Sequence, residues 1–196
     1  MIITKKFILF PLTALSLLIS ACSDNKAPST TSIQTSSEVQ QNTQSKTHTS
    51  TTQGNWQTKP SELSSNNKSD IQSDLTALNQ IINSINTRSI ELRKNIQTTT
   101  NDSTKMQETL KKVNNLHEQV KIEIMSLHLN SAEVQKIRTQ IIDNLMTASQ
   151  LYTLSTAADF NPAAPSKEFQ QLTQRSTAIQ QKVSTELNAL NQQYAK

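Results

Sequence analysis

After Lys68 the chain becomes periodic. Ile71, Leu75, Leu78, Ile82, Ile85, Leu92 and Ile96 recur in alternating steps of four and three, with Ser89 filling the vacant register. This spacing lays them along one narrow stripe of a helix. Ser69 or Asp70 is placed to cap its start. Thr98 to Ser103 is a run of turn-prone polar residues, and Thr104 with Gln107 reads as a capping box for the next helix. A second stripe follows in Met106, Leu110, Val113, Val120, Ile124 and Leu127, with His117 in the same register. Asn130-Ser131-Ala132-Glu133 has the pattern of a helix start, with Asn130 as cap and Glu133 reaching back. Val134, Ile137, Ile141, Leu145, Ala148 and Tyr152 form the third stripe, widened by Leu151 and Leu154. The fourth begins near Ser166 and carries Phe169, Leu172, Ile179, Val183, Leu187, Leu190 and Tyr194.

Four amphipathic segments joined by short connections predict an all-α, up-and-down four-helix bundle over residues 69–196. The alternative is an elongated three-helix hairpin, because the four-three phase also runs on through Leu127, Ser131, Val134, Arg138 and Ile141. That continuous register would bury Arg138, and an unpaired buried charge is costly. Ile137 makes the better core residue, which requires the phase to reset at Asn130.

Residues 22–68 have a different texture. Ser, Thr, Gln, Asn and Lys dominate, and no helical or strand period emerges. Such a segment buries too little apolar surface to offset the entropy of ordering, so it is read as a disordered tether. Fully extended, about 46 residues would reach roughly 150 Å; as a relaxed coil they span nearer 40 Å. Gly54-Asn55-Trp56, with the only Gly and the only Trp of the chain, interrupts it. Trp56 is therefore a candidate docking motif, for a partner or for the domain itself, set against a stray aromatic in a linker.

Residues 1–21 have three parts: basic Lys5 and Lys6, an apolar stretch from Phe7 to Ile19, and small Ser20 and Ala21 before Cys22. The apolar run is shorter than the roughly 20 residues of a membrane-spanning helix and suits a signal peptide. Ile19-Ser20-Ala21-Cys22 resembles the lipobox of bacterial lipoproteins, with Ile19 where that pattern prefers Leu. The resemblance implies cleavage between Ala21 and Cys22 and a diacylglyceryl group, with fatty acids such as palmitate, on the Cys22 thiol. It also implies acylation of the new amino terminus. Two or three acyl chains anchor stably where one is marginal. Ser23 rather than Asp follows the cysteine, which by the family's sorting rule directs the protein to the outer membrane.

Composition adds mainly exclusions. Lys and Arg number 19 against 15 Asp and Glu; with Lys5 and Lys6 in the signal segment, the remainder carries 17 against 15. A clustered basic face is missing, so nucleic acid is not an expected partner. Cys22 is the only cysteine, so no intrachain disulfide forms. A single Gly rules out a nucleophile elbow and phosphate-binding glycine loops. His117 and His128 share a helix face about 16 Å apart, too far to ligate one metal. Neither completes a Glu-x-x-His pair, and Lys121 stands where a zincin helix needs its second His. The expectation is a non-enzymatic chain with no catalytic residue, cofactor or metal. Met106, Met125 and Met146 could line a small-ligand pocket. Tyr152, Phe160, Phe169 and Tyr194 lie nearest the helix ends, where an exposed apolar patch would form. The reading is a lipid-anchored envelope protein that binds another envelope or host protein, with helix-pairing assembly or small-ligand carriage as alternatives.

Overall fold

The computed structural model describes residues 54–99 and 103–194. The expected signal segment 1–21 with Ala21, the expected lipidation site Cys22 and positions 23–53 of the expected tether lie outside the described residues, as do residues 100–102 of the Thr98–Ser103 turn. Four helices follow a short 3-10 turn at Pro60–Glu62: α1 (Lys68–Thr99), α2 (Ser103–Met125), α3 (Ala132–Ser155) and α4 (Lys167–Tyr194). Arg88 pairs with Glu123 while Leu92 packs near Met106 and Val113, so α1 and α2 run antiparallel. Lys136 pairs with Glu186 and Asp143 with Arg175, which sets α3 and α4 antiparallel. The all-α four-helix architecture is as expected, and a loop over residues 126–131 separates α2 from α3.

The stripes bury one another. Ile71, Leu75, Leu78, Ile82 and Ile85 of α1 join Leu116, Val120 and Ile124 of α2, Val134, Ile137, Ile141, Ile142 and Leu145 of α3, and Val183 and Leu187 of α4 in one core. Polar residues occupy the registers where the apolar pattern lapses. Ser89 is buried and donates to Ile85 O at 2.6 Å; Ser176 is buried between Leu172 and Ile179 and donates to Asn144 Oδ1 at 2.8 Å. Both hydroxyls thereby keep a partner away from water. The Ile96 side chain lies outside the described residues.

The starts of α1 and α3 differ from the sequence reading. Asn67, not Ser69 or Asp70, caps α1: its Oδ1 accepts from Ser69 N at 3.1 Å, and its carbonyl accepts from Ile71 N at 3.0 Å. The N-cap of α3 is Ser131, not Asn130, and its side chain makes no local cap bond. Glu133 accepts from Asn66 N at 2.8 Å instead of reaching back. At α3 the distant Asp74 and Asn66 take the places expected of local cap partners.

Residues 54–67, read as tether, are instead packed on the bundle. Ser64 forms a parallel bridge with Ser131 through Ser64 N to Asn130 O at 2.9 Å and Ala132 N to Ser64 O at 2.8 Å. This strap closes the end of the bundle where α1 begins, α2 ends and α4 finishes. There Gln72 Nε2 donates to Tyr194 O and Asn79 Nδ2 to Asn191 Oδ1, both at 2.8 Å, joining α1 to α4. Toward the other end the core divides. Met106 and Val113 form a separate small cluster with Leu92 and Leu110 between α1 and α2. At the α3–α4 loop Phe160 and Phe169 meet with ring centroids 5.1 Å apart.

Candidate functional site

At the strapped end a buried polar network ties four parts of the chain together. Asn55 imitates a backbone bridge: its Nδ2 donates to Leu129 O at 2.6 Å, and its Oδ1 accepts from Leu129 N at 2.9 Å. Gly54 passes so close to the α2–α3 loop that a Cβ would lie within 2.5 Å of Met125 O, Leu127 O and Ser126 C. Those atoms are backbone and cannot step aside, so the only Gly of the chain is a requirement of close approach. Gln135 Nε2 donates to Trp56 O at 3.0 Å and to Thr58 O at 2.6 Å. Trp56 itself is half-buried against the main core. The Trp56 ring thus packs on its own domain.

Arg138 is the hub. It is fully buried, at 0% exposure, beside the buried Ile137. Its Nε donates to Gln135 Oε1 at 2.7 Å, its Nη1 to Leu127 O, and its Nη2 to both Asn55 O and Asn55 Oδ1 at 2.9 Å. Arg138 is buried, contrary to the sequence reading, because its charge is not unpaired: oxygens of the strap, the loop and Gln135 surround it. Burial pulls its guanidinium down to about 10, and the nearby Asp74 carboxylate works the other way. It remains cationic at neutral pH.

Asp74, also buried, caps α3 from another helix. Its Oδ2 accepts from Asn130 N at 2.9 Å, Ser131 N at 2.7 Å and Ser131 Oγ at 2.6 Å. A carboxylate at a helix N-terminus is favoured by the orphan N–H groups and by the helix dipole. Sequence reasoning missed Asp74 and Gln135, and met Asn55 only as the middle of the Gly54-Asn55-Trp56 motif. The one legible trace of Asp74 is its place three residues after Ile71 on the buried stripe.

His117 sits where its register placed it, buried in the seam. Among the described residues its Nε2 has no hydrogen-bond partner, and burial pushes the imidazole down to about 4, with Glu118 opposing. It is neutral at pH 7. His128 is exposed on the loop. Among the described residues no three His, Cys, Asp or Glu side chains converge as a metal site would need. No described helix is long and apolar enough to cross a membrane.

The opposite end carries a notch of about 220 Å³ lined by Phe160, Pro162, Pro165, Phe169, Gln170, Thr173 and Gln174. Ser166 Oγ accepts from Phe169 N at 3.1 Å, capping α4, and Gln170 Nε2 donates to Pro165 O at 2.8 Å. These bonds fix the loop that forms the rim. Phe160 and Phe169 thus meet as candidate patch residues. Tyr194 lies at the strapped end, packed on the main core, apart from them. The three methionines do not converge: Met106 is in the small cluster, Met125 is packed on the main core, and Met146 is 52% exposed.

Neither the curated proteins nor the solved structures contain a significant match to the chain. A family model described as Uncharacterised lipoprotein PM1805 matches residues 72–195, the span of the helical bundle. That match covers more than half of the sequence, and the chain belongs to this family of bacterial lipoproteins.

Proposed function

We propose that this lipoprotein is a non-enzymatic interaction module, held on the outer membrane by acyl groups on Cys22 and presented on the tether of residues 22–53. The observation that carries the reading is the placement of the uncharged notch. The chain enters the bundle at the strap, which pairs with Ser131 at the start of α3. The notch lies past the other end of that 24-residue helix, roughly 36 Å away at the helical rise. The anchored end and the open apolar surface therefore face apart. Aromatic and proline walls with a few amide groups on the rim suit one apolar side chain and its flanking main chain from a partner protein. Supporting the non-enzymatic part, the strongly placed polar groups of the domain, Asp74, Gln135 and Arg138, are spent on holding the strap and the α2–α3 loop.

Two measurements test the parts separately. Intact mass of membrane-extracted protein reads the anchor: acyl mass added to residues 22–196 and lost in Cys22→Ala supports it, and an unacylated soluble chain sinks it. For the notch, a photo-crosslinking residue is placed at Gln174, with a control at exposed Ser73 of α1. A discrete protein adduct from the first position alone is the expected result. Identical adducts from both, or none, would reject the notch as the binding surface.

A further inference from the structure

Among the described residues, the strap is held mostly by parts of the chain far from it in sequence. Asn55, Trp56, Thr58 and Ser64 bond to Leu129, Asn130, Ala132, Gln135 and Arg138. Toward the helix it leads into, its side-chain bond is Ser64 Oγ to Asp70 Oδ2 at 2.6 Å. Most of what the groove reads is main chain: the carbonyls of Asn55, Trp56 and Thr58, and both backbone groups of Ser64. Such a groove accepts the same segment whichever molecule supplies it. The connection between groove and α1 is short, and it passes through Asn66 at φ 58°, a left-handed conformation that a residue with a Cβ holds at some cost. Short hinges under strain favour exchange of the segment they carry.

We propose that residues 54–64 exchange between two copies of this chain, each strap seating in the partner copy's groove to give a two-fold dimer joined at the strapped ends. Exchange keeps every strap–groove bond, so its thermodynamic opponent is the effective concentration of the strap for its own groove. For short connections that is on the order of millimolar. Copies must therefore be crowded, as lipoproteins confined to a membrane surface are. The inference takes only that crowding from the proposed function and nothing from the notch.

The test uses two differently tagged full-length copies expressed together. One carries a photo-crosslinking phenylalanine in place of Trp56. The other is either unaltered or carries Gly54→Val, whose strap cannot seat and whose groove stands open. Exchange predicts adducts joining the two tags, mapping to residues 125–138 of the second copy, and several-fold stronger with the Gly54→Val acceptor. Adducts confined to single copies overturn it, whichever fraction holds the chain. If the Gly54→Val copy fails to accumulate, the unaltered pairing decides alone. Fractionation of the same cells reports on the anchor independently, so the two failures are distinguishable.

Discussion

The two ends of the bundle start from the same four apolar stripes and are finished in opposite ways. At the strapped end, Asn55, Asp74, Gln135 and Arg138 form a buried network in which strap, loop and two helices share every bond. At the far end the core splits into a small cluster on the α1–α2 hairpin and an aromatic pair at the α3–α4 loop, and the surface opens into a notch. Hydrogen bonds are directional and leave a buried group costly if any partner is missing, so the network fixes one geometry. Apolar contacts are non-directional, so the far end leaves a surface able to receive a partner. The difference separates an end held by directional bonds from an end left open by apolar packing.

The comparison can be broken most severely at its hub. Arg138→Met leaves the oxygens of Asn55, Leu127 and Gln135 without their donor, and chemical denaturation should show a loss of about 3–5 kcal/mol. A loss below about 1 kcal/mol would mean that the network contributes little beyond its packing. Next is pH, which probes the region between the ends. His117 binds its proton near 6.5 when unfolded and near 4 when folded, so the unfolded state binds more protons between those values. Stability is therefore full above pH 6.5 and is lost as pH falls toward 4, by about 3 kcal/mol at one His. His117→Leu should flatten this slope; an unchanged slope would assign it to other groups.

Gly54→Val should cost about 2 kcal/mol by unseating the strap. Hydrogen exchange localises the effect: amides of Leu129 and Ala132, which donate to the strap, should lose protection while those at the far end keep theirs. Equal loss at both ends would show that the strap supports the whole bundle rather than its own end. The smallest effect belongs to the notch. Phe160→Ala removes one ring from the pair with Phe169 and should lower stability by about 1 kcal/mol. The same variant should abolish the Gln174 crosslink. Intact crosslinking with Phe160→Ala would move the contact surface elsewhere.

Much of the bundle was written in the spacing. The registers of Ile71 to Ile85, of Val113 to Ile124 and of Val134 to Ala148 mark buried faces, and even Ser89 and His117 fall where the period puts them. Helix starts were less legible, because Asn130 and Glu133 have the composition of a local cap while their bonds go elsewhere. The strap was the least legible. Its Ser-, Asn- and Thr-rich composition matches that of a linker, and main-chain hydrogen bonds leave no trace in side-chain hydropathy. Its one signal was the isolated Gly54-Asn55-Trp56.

The sequence by itself determined the helices, their buried faces and the short connections that make neighbours antiparallel. Those follow from a repeat near the helical period, a property of neighbouring residues. The resemblance of Ile19 to Cys22 to a lipobox is likewise local, readable without a fold. Tertiary structure alone decided that Arg138 is buried with its partners, that Asp74 caps a helix it does not belong to, and that the linker-like segment after Gly54 closes one end. Each depends on groups separated by 56 to 83 positions along the chain. Hydropathy registers whether a residue tends toward water, not which distant oxygen will replace that water. For a buried guanidinium or carboxylate, that replacement decides whether burial costs free energy or stabilises the fold.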